Sequence, residues 1–311
     1  MSIVLFMQPA VPPINWESFC KTHPPFSVAI DGYVRGGPSF DKNGPHVNFN
    51  HHEEVNRLAT RATCSQIFVA VKQGLFTLFC DGQKPRASVY ANDCDEDVCL
   101  SWTILKYGSK KAFIENPTLK ALVEALDLLD TTSGMYSFPK RDEMLRHVTW
   151  IFEPYRNFRL SGEIDEKNTE SFVAIVNAVE GRINQYLGGA GKTTLLDTRY
   201  KVLMRESNWV MVEELGNQAR IGMSNNGIRA FVSVRERPGG KLWTYTIGRT
   251  SLFVPFDLSS IFSALNKTEG LAAGQDQWGG GDTIGGSPRV RGSKLSPQKV
   301  VSIINDVIRR P

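Results

Sequence analysis

The feature that most constrains the fold is an alternation of short β-rich runs and amphipathic helices in the first half of the chain. Each of three such runs ends at a polar cluster: FSVAI (26–30), HVNF (46–49) and ASVYA (87–91). The spacing of apolar residues predicts helices over 64–75, 98–107, 118–129 and 141–152. Strands that alternate with helices favour a mostly parallel sheet flanked by helices, so we predict an α/β fold.

The second half differs in texture and follows a long predicted helix over 168–187. Strand-like runs broken by Gly, Asn and Pro come next: RYKVLM, WVMVEE, GIRAFVSVRE and LWTYTIG. Here we expect an antiparallel or mixed sheet, with helices over 257–266 and 296–309 and a glycine-rich loop over 270–292. The predicted division is a metal-binding α/β domain (1–165), a connecting helix and linker (166–192) and a smaller α+β substrate-binding domain (193–311).

Composition and the first residues exclude several classes of protein. With 41% hydrophobic and 22% charged residues, the chain has an ordinary globular composition and is neither disordered nor membrane-embedded. The opening MSIVLFMQPAVPP lacks a basic n-region and has only a short apolar run, so we expect a cytoplasmic protein with no membrane partner. The five cysteines lack CxxC spacing, which disfavours a disulfide framework and a tetrahedral zinc site.

Charge is divided unevenly along the chain. Residues 1–197 hold 20 basic and 23 acidic side chains, a net charge of −3, whereas residues 198–311 hold 16 and 9, a net charge of +7. This division is compatible with a cation-binding first part and a second part that holds an anionic substrate. Uneven surface decoration explains the charge alone equally well.

Two polar clusters follow predicted neighbouring strands. Asp31 comes directly after one strand, and Asn50, His51 and His52 follow another. Because parallel strands place ligands at their carboxyl ends, these side chains are candidates for one site. A solvated turn is the alternative for an isolated His-His pair.

Carboxylates are concentrated in two further segments. The segment DCDED, after a third strand, places Asp93, Asp95, Glu96 and Asp97 within five residues, and part of this cluster can be explained by capping of the next helix. Asp127 and Asp130 lie at i and i+3 near a helix end, where the helix dipole opposes negative charge. Oxygen ligands mixed with imidazole suit Mn²⁺ or Mg²⁺ better than Zn²⁺, so we predict a hard-metal site with one or two ions.

These segments resemble the DHH phosphoesterases. NFNHHEE followed by RATCSQIFVAVKQGLF is similar to the Asp-His-His signature, DCDEDVCLS to the Asp-x-Asp metal motif, and LDLLDT to the last metal-binding aspartate region. The resemblance implies a metal-dependent hydrolase that cleaves a phosphate ester of a nucleotide or short single-stranded nucleic acid in a cleft between two domains. It implies metal ligands at Asp31, His51, Asp93, Asp95 and Asp127 or Asp130, with His52 as the catalytic group.

The second half resembles the C-terminal domain associated with that family. VSVRERPGG, WTYTIG and QWGGGDTIGGSPR are similar to a strand carrying arginine and a glycine loop that grip the substrate phosphate. The resemblance implies substrate-binding residues at these positions: Arg235, Arg237, Gly279, Gly280, Gly281, Arg289 and Arg291. A flexible loop with solvated arginines is the alternative.

The chain departs from the family pattern in three ways. Asn50 stands where the family has Asp, Asp282 stands where the glycine loop has His, and the Asp-x-Asp motif follows the His-His segment instead of preceding it. These departures leave open a catalytically inactive protein that binds or senses a nucleotide or nucleic acid. A basic nucleic-acid-binding module ranks third, and a homodimer remains an option for the assembly.

Overall fold

The computed structural model describes residues 3–139, 142–272 and 275–309. The chain forms two compact units, Met1–Thr131 with Arg141–Leu195, and Thr132–Lys140 with Leu196–Pro311. The first contains a mostly parallel sheet flanked by helices and the second is a smaller α+β unit, which confirms the predicted fold class. Among the described residues, no helix has the length and apolar character needed to cross a membrane.

The strands of the first unit, within the described residues, are β1 (Ile3–Met7), β2 (Ser27–Ile30), β3 (Ser39–Asp41), β4 (His46–Phe49), β5 (Cys80–Asp81), β6 (Lys84–Pro85) and β7 (Ala87–Ala91). Of these, five form one sheet in the order β1-β7-β2-β4-β3, in which the pairs β1–β7, β7–β2 and β2–β4 are parallel and β3–β4 is antiparallel. Since Ile30 pairs with Phe49 and Ala29 with Tyr90, the segments that follow β2, β4 and β7 leave the same edge of the sheet.

The helices of the first unit are α1 (Trp16–Thr22), α2 (Thr63–Lys72), α3 (Leu75–Leu78), α4 (Glu96–Tyr107), α5 (Lys111–Ile114), α6 (Pro117–Thr131), α7 (Glu143–Ile151), α8 (Glu153–Ser161) and α9 (Thr169–Leu187), with a 3-10 helix at Glu163–Glu166. Apolar residues of α2, α4 and α6, such as Ile67, Ile104 and Leu122, share one buried core with β2 and β7. Burial of each such side chain contributes on the order of 2 kcal/mol. This packing holds α2, α4 and α6 in fixed positions relative to the sheet.

The helix that the sequence assigned to a connection between domains belongs to the first unit. Four residues on one face of α9 are fully buried in the core of that unit: Phe172, Val176, Val179 and Ile183. A connecting helix would leave this apolar face in water, whereas packing against α4, α7 and α8 buries it. The boundary between the units therefore falls after Leu195, and residues 132–140 join the second unit.

The second unit consists, as far as it is described, of strands β8 (Tyr200–Arg205), β9 (Val210–Glu214), β10 (Ala230–Glu236), β11 (Trp243–Arg249), β12 (Gly279–Gly280) and β13 (Ile284–Gly286), and of helices α10 (Ala219–Asn225), α11 (Leu258–Glu269) and α12 (Pro297–Ile308). The sheet order is β12-β13-β11-β10-β9-β8, and β9–β10 is parallel whereas the other pairs are antiparallel. Of the predicted alternatives, an antiparallel or a mixed sheet, the structure shows the mixed one. The predicted glycine loop over 270–292 contains β12 and β13, and its residues 273–274 lie outside the described residues.

Candidate metal centre

The polar segments of the first unit meet at the carboxyl edge of its parallel sheet. Asp31 follows β2, His51 follows β4, Asp97 lies in the first turn of α4 after β7, and Asp130 lies in the last turn of α6. Their ligand atoms form two overlapping groups that can hold a metal ion, one with Asp31, His51 and His52 and one with His51, Asp97 and Asp130; the atoms of each group lie within 4.8 Å of one another. Parallel strands that end at the same edge of the sheet therefore bring these groups to one place.

His51 is the centre of this arrangement. Its ring is fully buried, and Nε2 lies 2.7 Å from Oδ2 of Asp130, 3.5 Å from Oδ2 of Asp97 and 3.6 Å from Oδ1 of Asp31. Burial disfavours the imidazolium form, but the carboxylates of Asp130 and Asp31 outweigh it and raise the pKa of His51 to about 10. Three carboxylates thus surround one imidazole nitrogen.

The facing atoms of His51 and Asp130 lack hydrogen bonds. Among the described residues, Nε2 of His51 and Oδ2 of Asp130 are buried without a hydrogen-bond partner, so their 2.7 Å approach does not have hydrogen-bond direction. A buried polar atom without a partner is expensive, on the order of 1–3 kcal/mol. A divalent cation bound by both atoms would satisfy them, and the donor set of imidazole and carboxylates fits Mn²⁺ or Mg²⁺.

Asp31 is held by a strained turn and by two side chains. Both Asp31 (φ 50°) and the following Gly32 (φ 85°) have left-handed backbone conformations. Glycine adopts this conformation freely, whereas for Asp31 it is strained. Oδ1 of Asp31 accepts a hydrogen bond from Oγ1 of Thr63 at 3.0 Å and lies 2.8 Å from Nε2 of His52. The contact between Asp31 and Nε2 of His52 fixes the orientation of the His52 ring, which is partly exposed.

Asn50 orients the two histidines without facing the metal centre. Its Oδ1 accepts hydrogen bonds from the backbone N–H groups of His51 (2.8 Å) and His52 (3.1 Å). Its Nδ2 donates to the backbone carbonyls of Val34 (3.1 Å) and Gly36 (2.8 Å). A carboxylate cannot make the last two bonds, so the fully buried amide explains why Asn stands where the resembled family has Asp.

The two aspartates of α6 have different surroundings. Oδ1 of Asp127 accepts a hydrogen bond from the backbone N–H of Ala62 at 2.6 Å, just before α2, while Asp130 faces His51. Of the two sequence candidates, Asp130 belongs to a group of potential ligands, the one with His51 and Asp97. Partial burial raises the pKa of Asp127 despite its hydrogen bond to Ala62.

Asp93 and Asp95 cap backbone groups next to the site. Oδ1 of Asp93 accepts from the N–H of Cys94 (2.7 Å), and Oδ1 of Asp95 accepts from the N–H of Val98 (2.9 Å) as the N-cap of α4. Burial, followed by repulsion from Asp31, raises the pKa of Asp95 well above its ordinary value. Both remain predicted ligands that lie outside the two groups of converging atoms.

The sequence places Asp97 in the carboxylate cluster DCDED but not among the predicted metal ligands, and it predicts no role for Arg57. Asp97 is buried and accepts from the N–H groups of Thr63 and Cys64, each at 2.7 Å, so it caps α2 from α4 while it faces His51. Burial together with Asp31 and Asp130 raises its pKa to about 7. Nη2 of Arg57 donates to the backbone oxygen (2.9 Å) and to Oδ1 (3.1 Å) of Asp130. The position of Asp97, two residues after the N-cap of α4, is the sequence signal that could have identified it as a ligand. No sequence pattern indicates the contact of Arg57 with Asp130.

In the second unit, Arg237 supports its own loop. Its guanidinium donates to Oγ1 of Thr244 (2.9 Å) and to the backbone carbonyls of Val290 and Arg289 (2.8 Å each). These bonds use three of the five guanidinium N–H groups and hold the side chain against its own loop. Arg235 and Arg289, by contrast, are exposed side chains.

The loop amides near Arg289 and Arg291 already have an anionic partner. Asp276 accepts from the N–H groups of Arg289 (2.8 Å), Val290 (3.0 Å) and Arg291 (2.9 Å), and Nη2 of Arg291 donates to its backbone oxygen (2.6 Å). Three successive N–H groups on one carboxylate form the concave arrangement that binds anions elsewhere. Here the anion is an internal side chain.

The glycine triplet builds a sheet edge. Gly279 and Gly280 form β12, and the N–H of Gly281 donates to the carbonyl of Ile284 at 2.8 Å. A Cβ on Gly280 would lie 2.2 Å from Cα of Gly285, so close strand pairing requires a glycine there. Close strand pairing therefore explains the glycine at position 280 without any substrate.

Comparisons with known proteins give little support for a family assignment. No protein-family model matches the chain, and no curated protein sequence matches it. A search of solved structures found the pGpG-specific phosphodiesterase PggH from Vibrio cholerae at 10% sequence identity and a TM-score of 0.33, covering 92% of this chain and 98% of that one. At this TM-score the similarity carries no argument about this chain.

Proposed function

We propose that the protein is a metal-dependent phosphoesterase that hydrolyses a phosphate ester of a nucleotide or short oligonucleotide. The observation that carries the proposal is the buried convergence of Asp31, Asp97 and Asp130 around Nε2 of His51; among the described residues, neither this nitrogen nor Oδ2 of Asp130 has a hydrogen-bond partner. Zinc, iron or copper sites would favour more nitrogen or sulfur ligands, so the expected ion is Mn²⁺ or Mg²⁺.

Charge balance supports a bound cation. Asp31, Asp97 and Asp130 surround the site; Arg57 contacts Asp130, and in the metal-free protein the raised pKa of His51 makes its ring a second cation beside them. Like charges at this separation raise one another's pKa unless a cation neutralises them. A divalent ion held by His51, Asp97 and Asp130, or by the group of Asp31, His51 and His52, would take the place of the His51 proton and neutralise these carboxylates.

A bound divalent ion would neutralise a phosphoryl oxygen and lower the pKa of water for attack on phosphorus. The protein's own side chains would hold the reacting groups in the correct orientation. Asn50 fixes the backbone of the two histidines, and Asp31 fixes the ring of His52. His52, whose pKa is raised chiefly by Asp31, is partly exposed and would donate a proton or a hydrogen bond to the charge that develops on the phosphate.

The substrate class rests on the resemblance to the DHH phosphoesterases and on exposed arginines of the second unit. Arg235 and Arg289 present guanidinium groups at the surface, and such groups bind phosphates in a bidentate manner. The predicted cleft between two domains and the predicted homodimer stay predictions.

The test measures hydrolysis of a chromogenic phosphodiester and of short oligonucleotides with Mn²⁺ and with a chelator. We expect chelation or His51→Ala to lower the rate at least about a hundredfold, because metal catalysis contributes several kcal/mol. His147→Ala, at a half-buried histidine of α7 outside the site, is the matched control and should retain the rate. Calorimetry should show Mn²⁺ binding that His51→Ala removes. A rate indifferent to chelator and to His51→Ala would refute the proposal.

A non-catalytic nucleotide-binding protein is the second candidate. It is favoured by Asn50 and Asp282, which stand where the resembled family has Asp and His. Nucleotide binding in calorimetry without Mn²⁺ binding or turnover would select this candidate over the enzyme.

A further inference from the structure

A second group of metal-ligand side chains lies at the other end of β4. Cys20 is on α1, Asp41 ends β3 and His46 begins β4, and their candidate ligand atoms all lie within 4.8 Å of one another. Asp41 and His46 are cross-strand partners in the antiparallel β3–β4 pair. His51 follows His46 by five residues of extended chain, or roughly 16 Å, so this group is separate from the metal centre.

His46 has a buried ring nitrogen with no partner. Its side chain is 3% exposed, and its Nε2 lies 3.0 Å from the backbone oxygen of His23, which assigns the ring proton to Nε2. Nδ1 then has a free lone pair, and it is buried without a hydrogen-bond partner among the described residues. Leaving such an atom unsatisfied is costly, so its burial beside a thiol and a carboxylate points to a ligand.

Gly44 leaves room beside this nitrogen. A Cβ at Gly44 would lie 2.9 Å from Nδ1 of His46 and 3.3 Å from Oδ2 of Asp41, so both atoms border the same space. Oδ1 of Asp41 accepts a hydrogen bond from the N–H of Asn43 at 2.9 Å, which orients the carboxylate. The free lone pair of His46 and Oδ2 of Asp41 therefore face the position that the absent side chain of Gly44 leaves open.

The donor set selects the kind of ion. One sulfur, one imidazole nitrogen and one carboxylate oxygen suit Zn²⁺, which binds all three types, and do not suit Mg²⁺ or Mn²⁺, which prefer oxygen. Cys20 and Asp41 are half-buried, so an ion can enter from solvent and keep one water as its fourth ligand. The distinct chemistry separates this group from the carboxylate-rich metal centre.

We propose that Cys20, Asp41 and His46 form a zinc site that ties α1 to the turn between β3 and β4. On binding, the thiol of Cys20 releases its proton to solvent and its sulfur bonds to the ion, while Nδ1 of His46 donates its lone pair. The proposal does not depend on the proposed function, because it shares none of the residues of the metal centre.

Protection of cysteines from alkylation provides the first test, in the full-length protein with Zn²⁺ as the probe. Zn²⁺ should slow alkylation of Cys20 at least about tenfold, read by mass spectrometry, and should leave the half-buried Cys80 unchanged. Asp41→Asn, at a half-buried side chain that the fold tolerates more readily than a change at His46, should abolish most of this protection, and His46→Gln should do the same. Equal alkylation of Cys20 with and without Zn²⁺ would overturn the proposal.

Co²⁺ provides the second test, because a cobalt–thiolate bond gives a near-ultraviolet charge-transfer band. The band should be present in the unmodified protein, in Cys80→Ser and in Asp31→Asn, and absent in Cys20→Ser. Retention in Asp31→Asn distinguishes this site from the metal centre. A band that persists in Cys20→Ser, or that is lost in Cys80→Ser, would contradict the assignment.

Discussion

The metal centre of the first unit and the glycine loop of the second unit differ in whether their polar groups already have partners. In the first, Nε2 of His51 and Oδ2 of Asp130 are buried and face each other without a hydrogen bond. In the second, Asp276 occupies three successive loop amides and Arg237 donates to two loop carbonyls. Both regions contain clustered polar residues. In the metal centre, two facing buried atoms have no hydrogen-bond partner among the described residues, whereas in the glycine loop the protein's own side chains bond the polar groups.

A polar cluster can have either of two physical roles: it can stabilise its own segment, or it can bind a ligand. A satisfied cluster stabilises the segment that contains it, and its removal lowers the free energy of unfolding. An unsatisfied buried cluster lowers stability until a ligand binds, so the protein gains stability by mass action when the ligand is added. Stability measurements on both units can therefore confirm or refute the contrast.

The largest effect is expected for Asn50→Asp, which restores the residue of the resembled family. The carboxylate would replace two donated hydrogen bonds by repulsion with the carbonyls of Val34 and Gly36, which lowers the free energy of unfolding by about 2–6 kcal/mol. Asn116→Asp is the matched control, because the Asn116 side chain accepts from the N–H of Thr118 and a carboxylate can do the same. Urea unfolding measures both variants. A stable Asn50→Asp protein with higher Mn²⁺-dependent activity would contradict the structural role of the amide.

Mn²⁺ should reverse the pH dependence of stability. In chelator-treated protein the pKa of Asp97 is raised to about 7 and that of His51 to about 10, both above their ordinary values. The folded state therefore holds these protons more tightly, and its stability falls as pH rises from about 4 to 10. Mn²⁺ requires the deprotonated ligands, so it stabilises more at higher pH, by about 2.7 kcal/mol at a hundredfold excess over Kd.

Urea unfolding at about pH 6 and about pH 8, with and without Mn²⁺, measures these slopes. Asp31→Asn should lose the stabilisation by Mn²⁺ and is the test variant for the site. Metal-free stability that rises across this range would show that His51 and Asp97 do not titrate as their surroundings indicate.

Local sequence patterns determined much of the first sheet. The observed β4 and β7 match the predicted runs at 46–49 and 87–91, because alternation and turn residues act within a few positions. The edge strand β1 was not predicted, since five residues with one exposed face resemble a short apolar run. The spacing of apolar residues in α9 predicted the length of the helix, but it did not indicate which core the apolar face packs against.

The candidate site was predictable where it depends on strand order and not where it depends on side-chain direction. Asp31 and His51 converge because parallel strands end at one edge. Asp97 and Asp95 are two residues apart, yet one faces His51 and the other caps α4, a difference that the helix geometry decides. Spacing rules for cysteine missed the group around Cys20 because its members come from three separate elements.

In the second unit, Asp276→Ala should convert a satisfied loop into an anion site. Loss of the carboxylate leaves the exposed N–H groups of residues 289–291 to water and lowers the free energy of unfolding by about 0.5–1.5 kcal/mol. Added phosphate should restore part of this loss in the variant and little in the unmodified protein. Asp282→Ala, in the same loop, is the control. If phosphate stabilises the unmodified protein equally, the loop is open to anions in spite of Asp276.

The smallest effect on stability is expected for Arg235→Ala. The side chain is exposed on β10, so its removal should change the free energy of unfolding by no more than about 0.5 kcal/mol. If Arg235 binds substrate phosphate, KM for a phosphorylated dinucleotide should rise by about fivefold or less, because an exposed ion pair contributes up to about 1 kcal/mol. Arg237→Ala should show the opposite pattern, a loss of stability of about 0.5–1.5 kcal/mol from the hydrogen bonds to the loop carbonyls. If Arg235→Ala unfolds the second unit while Arg237→Ala does not, the assignment of one arginine to the surface and the other to loop support is wrong.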